Sequence, residues 1–204
     1  MSGPGDARPA ELVLASRSPQ RRAILELLGV RFVVRPADVV ERTTGDPRDV
    51  AVENAVRKAQ AVAGAGAGAG AGPEPGSRVL GVDTIVVLGG AIYGKPPDAE
   101  AARTTLRALS GATHTVISGL ALLGAGPDPG TAAAVTGVRF RRLDEATIDW
   151  YLAGGEWRER AGGYAIQGRG AALVEAIDGD YTNVVGLPLA ALLGLWPDLL
   201  VPPA

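Results

Sequence analysis

The stretch Val79-Leu-Gly-Val-Asp-Thr-Ile-Val-Val-Leu-Gly-Gly-Ala-Ile-Tyr-Gly-Lys-Pro96 organises this chain. Two short apolar runs meet at Gly89-Gly90, a dipeptide suited to the positive-φ positions of a two-residue hairpin. Asp83 interrupts the first run between Val82 and Thr84, and Lys95 follows the second. Burying a carboxylate in such surroundings is costly unless it is paired or coordinates a metal. Asp83 is therefore either a structural, turn-capping residue or a candidate for chemistry, and this stretch supports both.

A decoy lies inside the same stretch. Gly89 to Lys95 matches G-x-x-x-x-G-K, the start of a phosphate-binding loop. Pro96 stands where Ser or Thr should hold magnesium, and Pro97 blocks an immediate helix. Ala91-Ile92-Tyr93 reads as strand where that loop needs a cradle, so the chain is not a P-loop ATPase. Lys95 still ends a hairpin whose other strand carries Asp83, so the two are expected to face one site.

On the N-terminal side, residues 1–10 read as a loose tail and Leu12 to Ala15 as a buried strand. Ser18 suits a helix N-cap, Pro19 the first helical position and Gly29 the C-terminal cap, with Ile24, Leu27 and Leu28 as an apolar stripe. The polar cluster Ser16 to Arg22 thus sits at a strand-to-helix turn, where free N–H groups favour an anion. Arg21 and Arg22 occupy the helix end where cations are disfavoured by roughly 0.3–1 kcal/mol each. A bound phosphate would reverse that sign and accept bidentate bonds; the plainer reading is two solvated arginines.

Arg31 to Val34 reads as a strand, followed by a polar loop with Asp38, Glu41 and Arg42. Asp46-Pro47 opens a helix to about Val62, with Val52, Ala55, Val56 and Ala59 as its apolar face. Lys58 lies on it, and spacing alone leaves open whether it is solvated or binds phosphate. Residues 63–78 read as a low-complexity Ala/Gly/Pro loop, and the strict Ala-Gly alternation inside it cannot supply G-x-G-x-x-G.

Beyond the hairpin, Asp98 caps a helix to Leu109, with Leu106 and Leu109 inward and Gly111 ending it. Thr113 to Leu123 and Thr131 to Leu143 read as an antiparallel pair, with His114 as a structural histidine. Asp144 caps a further helix. Glu156 to Asn183 reads as site-forming loops around a strand at Ala172 to Glu175, and Gly186-Leu187-Pro188 opens the last helix.

Composition narrows the chemistry. The chain has 204 residues, 47% of them hydrophobic, enough for one substantial core and hence a single domain over 1–204, either undivided or as two lobes around a cleft. A net charge of −2, from 20 basic and 22 acidic residues, gives no general attraction to nucleic acid or an anionic membrane. The absence of cysteine excludes thiolate catalysis, and the single histidine excludes multi-histidine metal sites. No run reaches about 18 apolar residues and no signal-peptide core is present, so a cytoplasmic protein is expected. The sum is an α/β domain with a mixed β-sheet, flanking helices and a central cleft. Hydrolysis there would use a carboxylate and a metal-bound water, and phosphate chemistry on a small molecule fits this inventory.

Several motifs resemble one family. Leu14-Ala-Ser-x-Ser-Pro-x-Arg21-Arg22, Val82-Asp-Thr-Ile-Val86, Gly94-Lys-Pro96, Leu109-Ser-Gly-x-x-His114 and the block from Ala161 to Leu189 are similar, in order, to the Maf nucleoside triphosphate pyrophosphatases. The resemblance implies an inosine-triphosphatase-like fold and a homodimer. It implies cleavage of a nucleoside triphosphate to the monophosphate and pyrophosphate with Mg2+ or Mn2+. By position, Asp83 would accept the proton of the attacking water, and Ser16, Arg21, Lys58 and Lys95 would contact the triphosphate, with Arg22 beside them. Glu41 would join Asp83 at the metal; Gln20, Thr84 and Gln167 would select the base. Thr84 and Gln167 agree with the dTTP/UTP branch, whereas that branch carries arginine where this chain has Gln20. The alternative is a non-catalytic nucleotide-binding regulator of cell division.

Overall fold

The structure, a computed structural model, describes residues 12–64, 76–124, 126 and 129–201. The expected tail at 1–10, most of the Ala/Gly/Pro loop and part of the 124–130 hairpin tip lie outside these residues. Seven strands form one mixed sheet: β1 (Leu12–Leu14), β2 (Phe32–Val34), β3 (Arg78–Leu88), β4 (Ala91–Tyr93), β5 (Thr113–Leu123), β6 (Gly130–Phe140) and β7 (Val174–Asp178). Their order is β2-β1-β3-β5-β6-β7, with β4 on the far end of β3. The β1 pairings are parallel and all others antiparallel.

The hairpin forms as expected. Gly89 and Gly90 have φ of 58° and 82°, the double positive that a two-residue turn needs, and Leu88 faces Ala91 across it. The P-loop match is therefore a turn followed by a strand.

β3 is the central strand, and its alternation sorts the protein. Leu80, Val82 and Val86 point to one face, where Leu80 and Val82 meet Leu25 of helix α1 (Pro19–Leu27). Val79, Gly81, Asp83 and Ile85 point to the other, under helix α2 (Pro47–Ala63). There the sheet is notched. A Cβ on Gly81 would stand 2.0 Å from the Ala55 carbonyl oxygen, and one on Gly119 of β5 would stand 2.3 Å from that of Ala51. Both obstacles are backbone, so α2 rests directly on the sheet through Ala51, Ala55 and Ala59, all fully buried.

This notch corrects the expected helix face. Val52 and Val56 are only half-buried, and the inward residues are Val50, Ala51, Asn54, Ala55, Lys58, Ala59 and Val62. The closest contact takes the smallest side chains, and two polar residues share that face because Asp83 lies beneath it. Helix α1 departs likewise: Leu27 is 88% exposed, and the buried pair is Arg21 and Leu25, four residues apart. Its N-cap is Ser18, as expected.

Helices α3 (Ala99–Leu109) and α4 (Glu145–Ala153) carry the expected Asp98 and Asp144 caps. They close a second core around Leu106, Leu109, Phe140, Ile148 and Tyr151. Strand β7 starts two residues later than expected, after a 3-10 turn at Arg169–Leu173, because it is placed by pairing Val138 with Ile177 and Gly137 with Asp178 on β6. Two short helices, α5 (Tyr181–Val185) and α6 (Leu189–Leu195), end the fold, α5 beginning inside the span expected to be loop, which closes at Asn183. Among the described residues no helix is long and apolar enough to cross a membrane.

Candidate active site

Two polar clusters flank the middle of β3, one on each face. Under α2, Asp83 is 4% exposed, and each of its oxygens has a donor. The Lys58 ammonium stands 2.6 Å from Asp83 Oδ1, and the Asn54 amide donates to Oδ2 at 3.0 Å. Lys58 also reaches Glu41 Oε1 at 2.6 Å, so one ammonium bridges two carboxylates. Asn54 and Lys58 are four residues apart on one helix, which sets them side by side over the strand. Removing one partner from a buried ion pair of this kind costs about 3–5 kcal/mol.

On the other face, Arg21 is buried within a ring of neutral oxygens. Its Nε donates to the Gly186 carbonyl at 2.8 Å, Nη1 to Ser16 Oγ at 2.8 Å and Nη2 to Thr84 Oγ1 at 3.0 Å. Thr84 Oγ1 in turn meets the buried Ser118 Oγ at 2.8 Å. Burial lowers the Arg21 pKa, opposed by the charges of Asp83 and Glu41. Ser18, while capping α1, donates its hydroxyl to Gln20 Oε1 at 3.1 Å.

The remaining residues of interest stand apart. Arg22 is exposed and pairs with Glu26 one turn on, at 2.7 Å. Lys95 is exposed and pairs with Glu159 at 3.2 Å, so the ammonium that meets Asp83 belongs to Lys58. Glu159 has φ of 58°, the single positive value outside glycine among the described residues. Gln167 is exposed in a turn after the buried Ile166. The loop carrying these groups is tied to the hairpin by Gly162 N–H donating to the Gly94 carbonyl at 3.0 Å. His114 is fully buried, with Tyr164 OH at 2.9 Å from Nε2 and Phe140 edge-on; desolvation pulls its pKa down to about 4.

Sequence reasoning missed three groups: Asn54, Ser118 and the Gly186 carbonyl. For Asn54 a signal existed, namely its place four residues before Lys58. The other two depend on strand register and loop path, which leave no local trace.

For a metal, the donor chemistry fits. Glu41 and Asp83 are hard oxygen donors that already converge on one positive group, and Mg2+ is characteristically held by one or two carboxylates together with phosphate oxygens. Among the described residues no cluster of three or more acidic, histidine or cysteine ligands exists, so a cation there would draw its other ligands from substrate and water.

A mixed sheet whose central strand sets a carboxylate–ammonium cluster against a buried guanidinium defines an α/β protein equipped to handle phosphates. The chain belongs to the Maf-like protein family, which matches residues 11–198. It is similar to the dTTP/UTP pyrophosphatase of Anaeromyxobacter dehalogenans, 48% identical over 192 residues that cover 90% of this chain and 91% of that one. It is also similar to the dTTP/UTP pyrophosphatase of Pyrococcus furiosus, 42% identical over 187 residues, or 91% of this chain and 93% of that one. Among solved structures it is similar to a HAM1 protein from Coxiella burnetii, with a TM-score of 0.47 and 20% identity over 79% of this chain and 90% of that one.

Proposed function

We propose that this protein hydrolyses nucleoside triphosphates to the monophosphate and pyrophosphate, with dTTP and UTP as its first candidate substrates. The observation that carries this reading is Asp83, a buried carboxylate held from both sides on the central strand. Each of its oxygens has two lone pairs and one protein donor, so each can still accept a proton. In the reaction, water oxygen bonds to the α-phosphorus and its proton passes to Asp83. The anhydride bond to the β-phosphate breaks, and the electron pair leaves with pyrophosphate. Glu41 and Asp83 would hold Mg2+ or Mn2+, which offsets negative charge on the phosphates.

Lys58 faces two carboxylates, and an incoming triphosphate competes with Glu41, the more exposed of the two, for its ammonium. Arg21 uses three of its five N–H donors and keeps two for an anion. Ser16 orients that guanidinium, and Lys95 meets the outer phosphates by exchanging Glu159 for them. Gln20, Thr84 and Gln167 are the base-selecting positions in this reading, with Arg22 at the rim. The same reading makes the protein a single-domain cytoplasmic homodimer.

The test is pyrophosphate release from a panel of standard and modified triphosphates with Mg2+ or Mn2+, beside Asp83→Asn and Gln20→Arg. Asp83→Asn is expected to lower kcat by about 10²–10⁴-fold, the usual worth of a general base. Wild-type turnover in that variant would exclude Asp83 as the base. An unchanged preference in Gln20→Arg would exclude position 20 as a selector.

A further inference from the structure

Asn54 joins Asp83 to the backbone of the residue that follows Glu41. It is 1% exposed. Its Oδ1 accepts the Arg42 N–H at 2.8 Å, while its Nδ2 donates to the Arg42 carbonyl and to Asp83 Oδ2, both at 3.0 Å. The orientation of this amide is forced, because a backbone N–H can only donate and must face the oxygen. The NH2 group is left for the Arg42 carbonyl and Asp83, and both of its hydrogens are used. Arg42 directly follows Glu41, so one side chain grips the backbone beside one carboxylate and the oxygen of the other.

Lys58 has a different standing. Its ammonium serves Asp83 and Glu41 together, and a polyanion arriving at the site competes for it. The contacts of Asn54 run inward to the Arg42 backbone and to Asp83, the side chain is sealed from solvent, and it carries no charge for a polyanion to draw away. Lys58 can change partners during a catalytic cycle while Asn54 keeps its own.

We infer that Asn54 is a positioning residue for the hydrolysis. It holds the plane of the Asp83 carboxyl group, and with it the lone pair that receives the proton of water, and it fixes the spacing between Asp83 and the Glu41 loop. This inference rests on the pyrophosphatase reading above. In this role Asn54 takes no proton itself; it acts through Asp83.

Two substitutions separate this role from simple bracing of the loop. Asn54→Asp keeps an acceptor for the Arg42 N–H but turns an oxygen toward Asp83, whereas Asn54→Ala removes both contacts. If Asn54 orients Asp83, kcat at pH 8 ranks wild type, then Asn54→Ala, then Asn54→Asp. Each step is tenfold or more, and the dissociation constant of a non-hydrolysable α,β-methylene triphosphate stays within threefold, read by calorimetry. If Asn54 only braces the loop, Asn54→Asp is faster than Asn54→Ala, and that order overturns the inference. Where Asn54→Asp does not fold, Asn54→Ala decides: kcat within threefold of wild type overturns the inference, and a tenfold fall with unchanged analogue affinity supports it. A wild-type chain without turnover counts against the pyrophosphatase reading; an active wild type with the reverse order counts against Asn54 alone.

Discussion

Lys58 and Arg21 each bring a buried cation to the middle of β3, one from each face, and their surroundings differ. Lys58 sits between Asp83 and Glu41 in contact ion pairs. Arg21 is ringed by a carbonyl and two hydroxyls, and among the described residues no carboxylate contacts it. Full charges in contact offset the cost of desolvating an ammonium, whereas neutral dipoles offset it only in part. The lowered pKa of Arg21, caused by burial and opposed at longer range by Asp83 and Glu41, records that shortfall. Adjacent residues of one strand, Asp83 and Thr84, therefore face a charge-paired cluster and a cation whose charge is unspent.

The strongest way to break this contrast is Lys58→Met. It leaves Asp83 and Glu41 facing each other without their cation, and about 3–5 kcal/mol of stability should be lost in urea unfolding. A loss below about 1 kcal/mol would show that the carboxylates do not depend on Lys58.

Acid should strike the other face next, through His114. Its folded pKa is depressed from 6.5 to about 4, so between these values the unfolded chain binds the extra proton. The stabilisation is whole above pH 6.5 and drains away as pH falls toward 4, by about 3 kcal/mol in total. The slope of stability against pH in that window should flatten in His114→Gln.

Arg21→Met sharpens the contrast from the opposite direction. It removes a poorly compensated buried charge and leaves only neutral partners unserved, so stability should change by no more than about 2 kcal/mol. The KM for the triphosphate should rise more than tenfold, because the unspent charge is gone. Equal stability losses in Arg21→Met and Lys58→Met would erase the distinction between the faces. Smallest of all, Arg22→Ala should leave the urea-unfolding midpoint unchanged, since it removes only an exposed, solvent-screened pair with Glu26.

How far the sequence foretold this follows from the range of the forces involved. The hairpin at Gly89-Gly90 and the caps at Ser18, Asp46, Asp98 and Asp144 are local devices, and each forms where its residues predict it. Asp83 was legible because a carboxylate in an apolar strand is conspicuous. Arg21 and Arg22 look alike in a first helical turn, and only the packing of α1 on the sheet buries one and exposes the other. The inward face of α2 escapes local patterning because it is matched to glycines on strands 22 or more residues away. Hairpin proximity predicts Lys95 beside Asp83, yet the ammonium in contact with Asp83 comes from α2 and Lys95 pairs with Glu159.

Gly81 and Gly119 carry a consequence for chemistry as well as packing. They act as a gauge block. By withholding two methyl groups they let the backbone of α2 settle low enough for a side chain as short as Asn54 to reach Asp83. Neither glycine contacts a reacting group, yet the clearance they set is the working distance of the site. A displacement of about 1 Å in such a distance can cost roughly 10²-fold in rate. In this protein the turnover number is written partly in atoms that are missing from the sheet.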